Sequence, residues 1–209
     1  MQEGENKPRR SIGARRNPET EEAILNAAQE VLQEAGYAGF SIEAVARRAR
    51  AGKPTIYRWW RGKGDLLLEV YRRSKGNFRF PDTGDLAEDL TLFVGKLLGH
   101  WRTNRSGQIF RSILAEAQHD EITAEAVADY FVDRRDYVAG MAERAQRRGE
   151  LAPDIDPKLV AELAVSFAWN RLFTHRCEIG EDELRAIMRI IVHGAAAKSA
   201  AIPSSPARR

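Results

Sequence analysis

Apolar residues recur every three or four positions along most of this 209-residue chain, which is the spacing of one face of an α-helix. The longest stripe runs from Leu86 through Phe93 to Trp101. Breaks rich in Gly, Pro or Asn interrupt the pattern at Gly36, 104–107, 153–157 and Gly180. No stretch shows the strict alternation of a half-buried strand. The pattern therefore predicts an all-α fold of about nine helices.

Residues 41–60 predict two short helices joined by a tight turn. Ser41 suits an N-cap, and apolar residues follow it at helical spacing up to Ala49. Residues 50–52 interrupt the pattern, and Pro54 falls in the first turn of the next helix, where a missing N–H is tolerated. This order of helix, turn and short basic helix is typical of a helix-turn-helix that places its second helix in the DNA major groove.

An amphipathic helix over 19–35 precedes this pair, with Ile24, Ala28 and Val31 on one face. Two short helices bury too little apolar surface to be stable alone. We expect the first helix to supply the rest of their core.

Charge is divided unevenly along the chain. Residues 1–80 contain 16 Lys and Arg against 10 Asp and Glu, a formal charge of +6, whereas the remainder carries −3. The basic half coincides with the predicted helix-turn-helix, and a phosphate backbone would attract that half.

Several classes of protein find no support in the sequence. A single cysteine, Cys177, excludes an internal disulfide, and no apolar run is long enough to span a bilayer. The N-terminus lacks the apolar core of a signal peptide, so we expect a cytoplasmic protein without a membrane partner. No phosphate-binding loop, nucleophile elbow or metal-ligand spacing occurs. Glu116, His119 and Asp120 lie close in sequence, but a solvated helix end explains them better than a metal. We expect neither an enzyme nor a bound cofactor.

The helix-turn-helix stretch resembles the DNA-binding part of the tetracycline-repressor (TetR) family. The resemblance is specific over about 19–71 and generic beyond. Arg50 and Gly52 depart from the pattern, because the family usually has the turn glycine and a capping serine at these positions, and Gly64 replaces a usual acidic residue. The matching positions are Ser41, Val45, Ala46, Ala49, Lys53, Pro54, Thr55, Ile56, Tyr57, Trp60, Lys63 and Leu66.

The resemblance implies a division of the chain into domains. It places a helix-turn-helix DNA-binding domain at 19–62 and a ligand-binding and dimerisation domain at 63–197, in which 63–80 form a connecting helix. Composition predicts a disordered basic arm over 1–18 and a disordered tail over 198–209.

The resemblance also implies contacts with double-stranded DNA. Thr55, Tyr57 and Lys63 correspond to phosphate-binding positions, and Ser41 and Pro54 belong to the same surface. Arg58 and Lys53 are candidates for base edges, since either side chain can pair with guanine. Two positions stay open: Arg50 is either a phosphate contact or a solvated turn residue, and Trp59 either faces DNA or packs on the neighbouring helix.

In the family, the middle helices enclose a ligand cavity and the last two helices form a homodimer. The aromatic-rich helices between 93 and 173 suit an apolar or aromatic small-molecule effector. Candidate pocket residues are Phe93, Leu97, Trp101, Phe110, Tyr130, Arg134, Tyr137, Phe167, Asn170 and Arg171. Candidate interface residues are Ala161, Val165, Ala168, Leu184, Ile187, Met188 and Ile191.

Together these features predict a transcriptional repressor that is released from a palindromic operator when a small molecule binds. Three alternatives stay open: a constitutive DNA-binding regulator without a ligand, an activator that uses the same contacts, and an all-α carrier or enzyme for small molecules.

Overall fold

The computed structural model describes residues 18–74, 80–103 and 105–194, and every regular element within these ranges is a helix. The all-α prediction is confirmed, and the described residues form nine helices. They are α1 (Pro18–Gly39), α2 (Ile42–Ala49), α3 (Lys53–Trp59), α4 (Lys63–Ser74), α5 (Leu86–Thr103), α6 (Ser106–Glu116), α7 (Glu121–Arg147), α8 (Pro157–Phe173) and α9 (Glu181–His193).

Some of the predicted segments lie outside the described residues. These are residues 1–17 of the predicted arm, residues 75–79 of the predicted connecting helix, and the whole predicted tail. Helix α1 runs on to Gly39 with a kink at Gly36, whose φ of 65° lies in the left-handed region that glycine adopts without strain.

Helices α1 to α3, which we call the head, pack around a small apolar core. Ile24 and Ala28 of α1, Val45 of α2 and Ile56 of α3 are all fully buried. Trp60 follows α3 and is also buried, so the short recognition helix is anchored by its apolar side. The predicted buttressing role of the first helix agrees with this packing.

Helices α5 to α9, which we call the body, pack around α5. Helix α5 contacts α6, α7, α8 and α9, and α7 lies along α8. Helix α4 joins head and body, since it packs on α1, α6 and α7. One apolar core therefore runs from the head through α4 into the body. None of the described helices is long and apolar enough to cross a membrane.

Candidate nucleic-acid interface and ligand cleft

The turn between α2 and α3 keeps helix-turn-helix geometry despite its unusual residues. The Ser41 hydroxyl accepts a 3.1 Å hydrogen bond from the Ala44 N–H, which caps α2. Arg50 adopts the left-handed conformation at φ 51°, and the Ala51 N–H donates to the Ala46 carbonyl at 3.0 Å. An arginine therefore occupies the position that favours glycine, at a cost on the order of 1 kcal/mol.

The outer side of α3 carries most of the predicted DNA-binding residues. Lys53, Pro54, Tyr57 and Arg58 are exposed, and Thr55 is half-buried beside them. Their positions follow from the burial of Ile56 and Trp60, which turns the opposite side of the helix to solvent.

Trp59 is half-buried against the core of the head. Its ring centroid lies 5.7 Å from that of Trp60 in an edge-to-face arrangement, and the Arg58 guanidinium lies 5.5 Å from the Trp59 ring. These contacts favour the packing alternative for Trp59 and fix the direction of Arg58 beside it.

Two of the predicted cations already have partners in the protein. Lys53 Nζ lies 3.0 Å from a carboxylate oxygen of Glu43. Lys63 Nζ donates to the Tyr37 carbonyl at 3.4 Å and lies 4.1 Å from the centre of the Tyr37 ring. Partial burial lowers the pKa of Lys63. Lys63 is therefore held against the last residues of α1, beyond the kink at Gly36 and close to the start of the helix-turn-helix.

Three arginines of the head have no carboxylate within ion-pair distance among the described residues: Arg47, Arg50 and Arg58. Two nearby arginines do have carboxylate partners. Arg48 of α2 pairs with Glu34 at 2.5 Å, and Arg61, which lies between α3 and α4, pairs with Glu125 at 2.8 Å. Arg47 was missed by the sequence prediction, although it lies exposed in the last turn of α2, directly before the turn.

A cleft of about 180 Å³ opens between α7 and α8. A smaller inner lobe of about 20 Å³ adjoins it and reaches α5. The two lobes share Arg134, Val165 and Trp169, and we call them together the α7–α8 cleft. Its other lining residues are Phe93, Leu97, Tyr130, Phe131, Val132, Arg135, Val138 and Glu162.

The structure brings together only part of the predicted pocket. Phe93, Leu97, Tyr130 and Arg134 line the inner lobe. Trp101 and Phe110 lie behind it, buried against Tyr71 of α4. The Tyr137 ring packs at a tilt against Phe80, with centroids 4.0 Å apart, and the Arg134 guanidinium lies over the Tyr137 ring.

Three predicted pocket residues on α8 do not line this cleft. Asn170 is exposed, and the buried Arg171 lies 3.6 Å from Glu183 and donates to the Glu178 carbonyl at 2.8 Å. Phe167 stacks against Arg171. The prediction for these three residues was wrong because α8 is apolar on several sides. The spacing of its apolar residues therefore did not indicate which side of α8 faces α7. Phe131 and Trp169, whose rings are 4.1 Å apart, are the lining residues that were missed.

The predicted interface residues also need correction. Ala161, Ala168, Leu184 and Met188 are at most 3% exposed and lie inside the protomer's own core, so a second copy would not reach them. Val165 lines the α7–α8 cleft, while Ile187 and Ile191 are half-buried.

A different apolar stripe faces solvent on the last two helices. Leu159, Leu163 and Phe173 project from one side of α8, and Ile190 projects from α9, each with half or more of its side-chain surface exposed. Residues four and fourteen positions apart fall on one face of a helix. This face leaves a row of large apolar side chains in water.

No group of three or more potential metal ligands occurs within the described ranges. Asp120 instead caps α7, since its carboxylate accepts from the Thr123 N–H at 2.8 Å. Cys177 is half-buried, and burial raises the pKa of its thiol.

Comparison with known protein families gives two matches that together span most of the chain. A model of the C-terminal domain of tetracycline-repressor-like proteins matches residues 80–191, and the TetR-family model of bacterial regulatory proteins matches residues 24–70.

Full-length relatives and a solved structure agree with these matches. An HTH-type transcriptional regulator of Bacillus subtilis, YdeS, is 28% identical over 90% of this chain and 96% of its own length. A DNA-binding transcriptional repressor of Mycobacteroides abscessus is 32% identical over 76% of this chain and 82% of its own length. The crystal structure of the TetR-family regulator SCO0332 superposes with a TM-score of 0.74 at 26% identity, covering 86% of this chain and all of that one.

Proposed function

The chain belongs to the TetR family of DNA-binding transcriptional regulators, and from this premise we propose that it is a repressor released from a palindromic operator by a small apolar or aromatic effector. The observation that supports DNA binding is the row of arginines around the helix-turn-helix that have no carboxylate partner among the described residues. Arg47, Arg50 and Arg58 follow one another across α2, the turn and α3.

Their roles differ by position. Arg50 lies in the turn and Arg47 at the end of α2, where they suit phosphates that fix the register of the protein on the duplex. Arg58 projects from α3 beside Trp59 and suits a guanine edge in the major groove. Ser41, Thr55, Tyr57 and Lys63 would complete the phosphate contacts, and Lys53 would reach DNA after leaving Glu43.

The exposed stripe of α8 and α9 supports a two-fold dimer. A partner's α8 and α9 would cover Leu159, Leu163, Phe173 and Ile190 and form a four-helix bundle. A two-fold dimer carries two heads, so it reads two inverted half-sites, which is a palindrome.

A direct connection between cleft and head supports effector control. Tyr130 of α7 lines the cleft, and its ring lies 6.0 Å from that of Tyr71 in α4. On either side of Tyr130 along α7, two carboxylates form further contacts. Glu125 pairs with Arg61, just before α4, at 2.8 Å, and Asp133 pairs with Arg72 of α4 at 3.3 Å. A shift of α7 would therefore move α4 and change the separation of the two heads.

The effector must bind the DNA-free state more tightly than the DNA-bound state, because a ligand without such a preference shifts no equilibrium. We propose repression rather than activation because the M. abscessus relative, a transcriptional repressor, is 32% identical to this chain.

The first experiment is selection from a random duplex pool by the purified full-length protein at two salt concentrations. We expect enrichment of a palindrome at both. Binding without enrichment that disappears at the higher salt would indicate non-specific electrostatic attraction and would contradict the proposal. The selected duplex then serves as the probe for effector-induced release.

A further inference from the structure

We propose that the effector is a monoanionic organic acid, whose carboxylate pairs with Arg134 and whose apolar or aromatic body occupies the α7–α8 cleft. This inference rests on the proposed function and adds the chemical class of the effector.

Arg134 is a half-buried cation held by aromatic rings. Its guanidinium carbon lies 4.7 Å from the ring centre of Tyr137 and 5.9 Å from that of Tyr130. Neither ring supplies a full negative charge, although both faces attract a cation. The rings therefore hold the guanidinium at the boundary between the two lobes, where it lines both.

No carboxylate of the described residues lies within 4.0 Å of Arg134. The neighbouring arginines differ in this respect: Arg72 pairs with Asp133 at 3.3 Å, and Arg135 pairs with Asp136 at 3.3 Å. Removing a cation from water without a partner is unfavourable. Of the two arginines that line the cleft, Arg135 therefore has a carboxylate partner, whereas Arg134 has none among the described residues.

The charge balance of the cleft favours an anion. Among the described lining residues Glu162 is the one carboxylate, and it is exposed and beyond ion-pair distance of Arg134. Asp136 lies at the edge of this region, but it is shared between Arg135 and Lys158. A planar guanidinium with free N–H groups binds a carboxylate through two parallel hydrogen bonds.

The remaining lining determines the body of the ligand. Phe131, Trp169 and Val165 form the outer walls, and Phe93 and Leu97 close the inner lobe. A single aromatic ring or a medium-length acyl chain fits volumes of about 180 and 20 Å³ better than a large ligand does. One unpaired cation suits one carboxylate rather than a polyphosphate.

The test is calorimetric titration of the full-length protein with three matched pairs of acid and neutral amide. The pairs are benzoate with benzamide, 3-phenylpropionate with 3-phenylpropanamide, and octanoate with octanamide. For at least one pair we expect the acid to bind about tenfold more tightly than the amide, since hydrogen bonds to charged groups exceed neutral ones by about this margin.

Variants connect that preference to Arg134. Arg134→Met should reduce the acid preference to less than threefold, while Arg134→Lys should keep a weaker preference because it retains the charge. Arg147→Met is the matched control, since it removes an exposed positive charge from the same helix, several turns away. It should leave the preference unchanged. Circular dichroism melting checks that each variant is folded.

Three outcomes would overturn the inference: amides that bind as well as acids in every pair, an acid preference that survives Arg134→Met, or no binding in any pair. These titrations need no DNA, so they remain informative if the duplex selection fails. Conversely, operator binding without an acid preference would retain the regulator and reject this effector class.

Discussion

The indole N–H of Trp101 in α5 donates a 2.7 Å hydrogen bond to the hydroxyl of Tyr71 in α4. Both side chains are at least 96% buried, and the Tyr71 ring stacks on Phe110 of α6 with centroids 4.5 Å apart. This polar contact thus joins the helix that carries the head to the central helix of the body, inside an aromatic cluster that Tyr130 also contacts.

Tyr71→Phe should lower the free energy of unfolding by about 1–3 kcal/mol, because it leaves the Trp101 N–H buried without its acceptor. Urea unfolding followed by circular dichroism measures the change. Tyr57→Phe is the control, since Tyr57 is half-exposed on α3, and it should change stability by less than about 0.5 kcal/mol. Equal stability of Tyr71→Phe and the parent protein would show that this hydrogen bond contributes nothing net.

Stability should fall as the pH rises above about 10. Burial raises the pKa of Tyr130 to about 12 and raises the pKa of Tyr71 well above its ordinary value. An unfolded tyrosine ionises near pH 10, so above that pH the unfolded state binds fewer protons than the folded state. The stability associated with neutral Tyr130 is fully present below pH 10 and is lost towards pH 12.

Each such tyrosine should contribute a loss of about 1.4 kcal/mol per pH unit in that window. Urea midpoints of the parent protein and of Tyr130→Phe, compared at pH 9 and pH 11, isolate the contribution of Tyr130 from other titrating groups. We expect a shallower decline in Tyr130→Phe. Identical declines would mean that Tyr130 ionises in the folded protein as readily as in the unfolded chain.

Gly64→Ala should disturb the junction of head and body. A Cβ at Gly64 would overlap the side chain of Thr123 in the first turn of α7, so one helix must move. Overpacking of this kind costs about 1–3 kcal/mol. Gly140→Ala is the control on α7, because nothing lies within 4 Å of its added Cβ and alanine favours helix over glycine by about 1 kcal/mol.

Thermal unfolding should therefore show a lower Tm for Gly64→Ala and an equal or higher Tm for Gly140→Ala. If the two substitutions behave alike, α4 and α7 do not pack as tightly as the structure indicates. Operator affinity, measured with the selected duplex, should also fall for Gly64→Ala, because α4 positions the head.

Leu163→Glu should dissociate the proposed dimer, since it places a charge in the apolar stripe of α8 that a partner would cover. Sedimentation velocity should give a monomer, and operator affinity should fall by tenfold or more as one head alone binds a single half-site. Leu92→Glu changes another exposed leucine, on α5, and should leave the dimer intact. A dimeric Leu163→Glu protein would exclude this face as the interface.

Three head variants separate phosphate contacts from base contacts. Tyr57→Ala and Arg47→Ala should weaken binding to all sequences alike, and Arg47→Ala should lower the slope of log affinity against log salt by about 1. Arg58→Ala should relax selectivity at one base position. Arg73→Ala, whose charge is already paired with Glu22 at 2.5 Å, is the control and should change neither quantity. A uniform loss for Arg58→Ala would reassign it to the phosphate group.

The α2–α3 region could be interpreted from the sequence because its determinants are local. The Ser41 cap, the interruption at 50–52 and the apolar spacing up to Trp60 are set by residues within one or two helical turns of each other. The same locality made the outward direction of Tyr57 and Arg58 predictable. Even so, the ion pair between Glu43 and Lys53 joins two helices, so spacing within either helix did not predict it.

The body was less predictable, because its helices are apolar on more than one side and their neighbours are distant in sequence. Periodicity identified α8 as an apolar helix, but the packing of α7, α5 and α9 around it decided the rest: Trp169 faces the cleft, Ala161 the core, and Leu163 solvent. The sequence by itself thus determined an all-α chain with a basic helix-turn-helix. Only the tertiary structure decided which side chains line the cleft and which apolar face stays uncovered, since burial depends on contacts between helices.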